Sequence, residues 1–229
     1  MATARATLGG DPAQPTACAR MNAVVFDLGG VLIDWNPRHL YRKLFPRNES
    51  RMERFLSEVC NPEWNACQDA GRSWAEATAL LRARHPDKAA LIDAYYLRWQ
   101  EMLGGPIEGS VAILRELKEA RTPLYALTNW SHETFPIALG LYDFLGLFDA
   151  IVVSGHERMI KPDPRLYQLL IERHGLRPTG LVYIDDNAEN AAVAAALGMH
   201  GIHFSSPDAL GAERVLLGAP LRASRLATP

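Results

Sequence analysis

Cysteine is scarce: Cys18, Cys60 and Cys67 are the three in 229 residues. They form no CxxC pair and no metal-ligand set, which excludes a zinc ribbon or a disulfide scaffold and fits a reducing compartment. Long apolar runs are missing too. None approaches the roughly 20 residues that span a bilayer, and residues 1–20, rich in Ala, Thr, Pro and Gly, lack the apolar stretch of a secretory signal. Neither sign of charge dominates: 24 Lys and Arg face 26 Asp and Glu, for a net charge of -2. That gives no footprint for nucleic acid or an anionic membrane. The seven histidines show no HxxxH or HExxH spacing, and no GxGxxG occurs, so a zinc-protease helix and a dinucleotide loop are both excluded. The expectation is a cytoplasmic protein, monomer or homodimer, acting on a small molecule. Residues 1–20 are expected to be a disordered tail, with Met21 a candidate start of translation.

The chain is otherwise ordinary for a globular fold, 48% hydrophobic and 22% charged, and long enough for one substantial core with a smaller lobe. It is organised around Met21–Asp34, MNAVVFDLGGVLID. Ala23–Phe26 reads as a buried strand, and Asp27 stands where it stops. Gly29 and Gly30 let the backbone turn sharply beside that acid. The next seventy or so residues read as helical. Pro37 suits a first helical turn, and the apolar stripes are Leu40, Leu44 and Phe45, then Met52, Phe55, Leu56 and Val59, then Leu80 and Leu81, then Leu91, Ile92, Tyr95, Tyr96 and Trp99. An all-helical segment between two strands of one sheet is expected to be a separate cap, residues 36–104. Gly104-Gly105-Pro106 breaks the pattern as a hinge. Residues 21–35 and 105–229 are then the core.

Beyond the cap, helices alternate with short apolar strands at Leu124–Leu127, Ala150–Val153, Leu181–Ile184 and Gly201–Phe204. Asp163 followed by Pro164 predicts a helix start, and an alanine-rich helix is expected over 188–197. This order gives an α/β fold with a doubly wound parallel sheet. In such a sheet the carboxyl ends of the strands share one edge. Asp27, Thr128-Asn129, Lys161 and Asp185-Asp186 all fall there. Clustered carboxylates repel by several kcal/mol at an effective dielectric near ~20 and require a cation. Oxygen ligands without His or Cys favour Mg²⁺. Acids, a lysine and short polar groups fit phosphoryl transfer, with Asp27 as the attacking group. Lys161 would neutralise phosphate oxygens, Thr128 and Asn129 would donate to them, and Asn190, one helical turn past Asp186, would orient Lys161 or a metal ligand. The 185–186 carboxylates must then lie within ~4–6 Å of Asp27.

With those residues in view, the chain resembles the haloacid dehalogenase-like hydrolase superfamily. FDLGGVLID corresponds to its first motif, LTN to its second, KPDPRLY to its third and IDDNAEN to its fourth, in the family's order. The resemblance covers most of residues 21–205, and the helical segment looks like the family's C1 cap. It implies Asp27 as nucleophile, Mg²⁺ on Asp27, the Gly29 carbonyl and Asp186 with Asp185 beside it, and phosphate held by Thr128, Asn129 and Lys161. The implied activity is a Mg²⁺-dependent phosphatase of small phosphorylated metabolites, sugar phosphates among them, through an aspartyl-phosphate.

One position departs from the pattern. Phosphatases of the family usually carry an acid–base aspartate two residues after the nucleophile, where this chain has Gly29. Loss of a positioned acid costs about 10²–10⁴-fold in rate, unless a cap residue, a water or an undemanding leaving group substitutes. Trp64, Asn65 and Asp69 are the cap residues placed to reach over the site. Two alternatives remain from the sequence. One is a 2-haloacid dehalogenase, against which Asp185-Asp186 argue because the family's dehalogenases carry small polar residues there. The other is a non-catalytic phosphate-binding module, for which Gly29 is the support.

Overall fold

The computed structural model describes residues 22–216; the expected tail over 1–20 and Met21 lie outside them. The strands are β1 (Ala23–Phe26), β2 (Ile33–Trp35), β3 (Leu103–Pro106), β4 (Leu124–Thr128), β5 (Ala150–Val153), β6 (Leu181–Asp185) and β7 (His200–His203). Five of them form one sheet in the order β5-β4-β1-β6-β7, and every neighbouring pair is parallel. All four residues of β1 are buried, as a central strand covered on both faces requires. Val24 and Phe26 face one core with Leu124, Ala126, Val111 and Leu114. Ala23 and Val25 face another with Leu127, Leu166, Tyr167 and Tyr183. The chain steps outward from β1 to β4 and β5, then crosses back to β6 and β7. Connections therefore leave the centre in opposite directions and open a crevice at the carboxyl ends of β1 and β6.

Between β2 and β3 lie five α-helices, α1 (Pro37–Leu44), α2 (Glu49–Glu58), α3 (Pro62–Asp69), α4 (Trp74–Arg84) and α5 (Ala89–Leu97). Asn36, Asn48, Asn61 and Ser73 cap the first four by accepting a backbone N–H at each helix start, which fixes where each helix begins. The inner faces fill with aromatic rings: Tyr41 against Phe55 and Tyr95, and Trp74 stacked on Tyr95 and Tyr96. Their buried residues run on continuously into one core of the sheet. The later helices are α6 (Glu108–Glu119), α7 (Phe135–Leu141), α8 (Ser154–Glu157), α9 (Pro164–Arg173), α10 (Ala188–Ala196) and α11 (Pro207–Leu216). Asp163 does cap α9, accepting the Arg165 N–H at 2.9 Å.

Two local expectations are corrected. The Gly104–Pro106 break is not a bare hinge, because Leu103–Pro106 pairs antiparallel with Ile33–Trp35. Strands this short carry no alternation to read, and only the pairing of the two connections defines them. Leu80 is 46% exposed, since α4 turns Trp74, Ala77 and Leu81 inward instead. Helix α3 carries no apolar stripe, because its buried residue is the polar Gln68; Asn61-Pro62, a cap followed by a first-turn proline, marks its start.

Candidate active site

Asp27 follows directly on β1 and continues its ladder by donating its N–H to the Ile184 carbonyl, 2.8 Å. It is 8% exposed. Its Oδ1 accepts the Leu28 N–H at 2.7 Å, and its Oδ2 lies 2.9 Å from Lys161 Nζ. The loop then closes tightly, Gly30 N donating to the Ile33 carbonyl at 2.9 Å. Gly30 has φ +73°, and a Cβ there would clash with the Asp186 carboxylate. Gly30→Ala is therefore expected to cost about 1–2 kcal/mol from the left-handed backbone alone, and more from displacing Asp186. A thermal-melting midpoint within a degree of the parent would contradict that.

Lys161 is almost wholly buried and reaches two carboxylates, Asp27 and, at 2.7 Å, Asp185 Oδ2. Its backbone is held by Asn129, whose Nδ2 donates to the Lys161 carbonyl at 3.0 Å while its Oδ1 accepts the Lys161 N–H at 2.8 Å. One of the two amide N–H groups of Asn129 is thus engaged, and the other is left for the donation to phosphate expected of it. Asn129 positions Lys161 across 32 residues of sequence and also lines the cavity described below. Thr128 ends β4 and is buried.

Asp185 and Asp186 differ sharply. Asp185 is fully buried, with Oδ2 accepting from Lys161 Nζ and Tyr183 Oη, and Oδ1 accepting from the Asn187 N–H and Asn190 Nδ2. Those four bonds fill its acceptor sites. Of the two roles expected for Asn190, the structure shows it on this carboxylate and not on Lys161. Asp186 is exposed toward the crevice. One carboxylate oxygen from each of Asp27, Asp185 and Asp186 lies within 4.8 Å of the others. At that spacing each ionised pair repels by about 3 kcal/mol at an effective dielectric of ~20. Burial, opposed by Lys161 and reinforced by Asp185 and Asp186, pushes the Asp27 carboxyl up to about 7. Burial and Asp185 raise Asp186 as well, while Asp27 and Asp185 hold Lys161 above its usual value against the desolvation that lowers it. An all-oxygen cluster with surplus negative charge fits a hard divalent cation.

The insert closes over this edge through the segment after β4. Trp74 donates its N–H to Glu133 Oε1 at 2.9 Å and its Nε1–H to Ser131 Oγ at 3.1 Å, and Tyr96 Oη reaches Glu133 Oε2 at 3.3 Å. Gly29, Asn65, Asp69, Trp35, Trp99, Asn129 and Trp130 are among the residues that line one cavity, Gly29 standing two residues after Asp27. Trp130 both lines it and packs beneath it, on Trp99 at 5.5 Å and Phe135 at 5.8 Å. Trp64 instead packs against Trp74 and Tyr95 within the insert.

A family model of haloacid dehalogenase-like hydrolases matches residues 21–198. The chain belongs to that family. It is similar to the sesquiterpene phosphatase astK of Aspergillus oryzae, 28% identical over 82% of this hydrolase and 92% of that protein. The drimenol cyclase drtB of Aspergillus calidoustus is 25% identical over 82% of the chain, which spans 35% of that longer relative. In fold the hydrolase is similar to the HAD family enzyme BT-2542 of Bacteroides thetaiotaomicron, solved in complex with magnesium and inorganic phosphate. The TM-score is 0.62 at 23% identity, covering 91% of this chain and 100% of that one. Among the described residues, no helix is long and apolar enough to cross a membrane.

Proposed function

We propose that this hydrolase is a Mg²⁺-dependent phosphatase that cleaves a small phosphorylated metabolite through a phosphoryl group carried on Asp27. The observation that supports this most is the buried Asp27–Lys161–Asp185 arrangement with Asp186 open beside it. A phosphatase relative aligned over most of both chains, and a neighbour of the same fold holding magnesium and phosphate, point the same way. The Leu28 N–H on Asp27 Oδ1 fixes the carboxylate so that one oxygen is aimed at an incoming phosphorus. Lys161, braced by Asn129, offsets charge on the equatorial oxygens. Asp185 keeps the ammonium in place, and Tyr183 with Asn190 keeps Asp185 in place. Asp27, the Gly29 carbonyl and Asp186 would hold Mg²⁺, with Asp185 adding its charge behind them; the bound ion supplies the charge compensation that phosphoryl transfer needs. Helices α1–α5 act as a cap over residues 36–104 that selects the leaving group.

The test is phosphate release from p-nitrophenyl phosphate and from a panel of metabolite phosphates. EDTA is expected to abolish it and Mg²⁺ to restore it. No turnover on any of them with Mg²⁺ present sinks the reading, and halide release from a 2-haloacid in EDTA would replace it with dehalogenation. Mg²⁺ should also raise the melting temperature more at pH 8 than at pH 5. The raised Asp27 carboxyl stabilises the fold while protonated, and that contribution is lost as pH climbs from about 4 through about 7, where the metal takes the proton's place. Equal stabilisation at both pH values would count against Asp27 as a ligand.

A further inference from the structure

We propose that Asp69, delivered by the end of α3, is the proton donor and acceptor for the leaving group and the attacking water. The inference rests on the phosphatase reading above. Asp69 and Gly29 line the same cavity, and Asp69 lies near enough to Asp27 and Lys161 for both charges to act on its carboxyl. Gly29 offers no side chain, and a Cβ built there would find nothing within 4 Å, so the space next to the nucleophile is open on that side. Of the cavity residues named above, Asp69 alone carries a group that titrates in the neutral range.

Its placement is fixed from two directions. Asn65 Nδ2 donates to Asp69 Oδ2 at 2.9 Å, and Tyr95 Oη donates to Asn65 Oδ1 at 3.2 Å. The Asp69 carbonyl accepts from Ser154 Oγ at 2.6 Å, and that hydroxyl in turn accepts the Trp130 N–H at 2.9 Å. The carboxyl is thus held by Asn65 of the insert and by the Ser131 N–H, and its backbone by Ser154, 85 residues away. Burial pushes the carboxyl up to about 7; the Ser131 N–H and the Lys161 charge draw it down, and the Asp27 charge pushes it further up. A general acid–base near the working pH is the efficient kind.

The two half-reactions balance through this group. An Asp27 oxygen bonds to phosphorus as the bond from phosphorus to the leaving oxygen breaks, and that oxygen takes the Asp69 proton to depart as an alcohol. The Asp69 carboxylate then takes a proton from water as the water oxygen attacks the aspartyl-phosphate. The Asp27–phosphorus bond breaks with its electron pair returning to Asp27, and orthophosphate leaves.

The experiment compares the wild type, Asp69→Asn and Asp69→Asn/Gly29→Asp on an aryl phosphate, whose phenolate leaves unprotonated, and an alkyl phosphate, whose alkoxide does not. For Asp69→Asn, kcat/KM should fall about 10²–10⁴-fold on the alkyl ester and less than about tenfold on the aryl ester. The aryl reaction should show a burst, because the second half-reaction has lost its base. Gly29→Asp should restore alkyl turnover by placing a carboxyl in the open space. An equal loss on both esters means a structural role and overturns the proposal, as does no loss on the alkyl ester. If Asp69→Asn does not fold, the wild type decides: a shallow dependence of kcat/KM on leaving-group basicity supports the acid, and a steep one overturns it. A wild type that turns over neither ester with Mg²⁺ removes the phosphatase reading itself, an outcome distinct from any of these.

Discussion

Asp27→Asn is expected to reduce phosphate release by on the order of 10⁴- to 10⁶-fold, the scale seen when a nucleophile is removed from an otherwise intact site. The substitution keeps the shape and the acceptor that receives the Leu28 N–H at 2.7 Å. It removes one negative charge from a cluster whose carboxylate oxygens lie within 4.8 Å of one another. Lys161 retains its bond to Asp185 at 2.7 Å. The amide nitrogen replaces the oxygen that faces Lys161 at 2.9 Å, so the relief of repulsion is offset by the lost ion pair, and the metal-free variant should melt close to the wild-type temperature while being inactive. Loss of activity without loss of stability separates a chemical role from a folding role. Residual activity within about tenfold of the wild type would show that the nucleophile lies elsewhere.

The sheet and the acidic cluster were legible because strand ends in a parallel fold converge whatever joins them. Asp27, Lys161, Asp185 and Asp186 needed only the βα order to be brought to one edge. The division of labour between Asp185 and Asp186 was harder to read, yet it had a signal. Adjacent residues at a strand end point to opposite sides, so one carboxylate had to turn inward and one outward. Asn129 had none, since an asparagine after a strand is equally able to donate to a ligand or to clasp a backbone, and its partner lies 32 residues on. The sequence points to Asp69 as a cap residue over the site, but what fixes it there was likewise out of reach. It depends on Ser131 and Glu133 accepting from Trp74 and on Ser154 donating to the Asp69 carbonyl, contacts between the insert and the core that no local pattern encodes.

Lys161→Met should have the largest effect on folding and abolish activity as well. Lys161 is 3% exposed and its ammonium bridges Asp27 and the fully buried Asp185. Removing it strands Asp185 as a buried anion, a loss of about 3–5 kcal/mol. At about 2–4 °C per kcal/mol for a chain of this size, the melting point should fall by roughly 6–20 °C. The deficit should shrink in acid. Asp27 already titrates at about 7 with Lys161 drawing it down, so without the lysine its folded value is higher still. A carboxyl raised by folding stabilises the native state below its unfolded value and loses that contribution as pH rises through its folded value. The double variant Lys161→Met/Asp185→Asn removes the buried charge together with its partner, and should regain most of the stability while remaining inactive. If the double variant melts no higher than the single one, the ammonium is not there to balance Asp185, and the electrostatic account of the site fails at its centre.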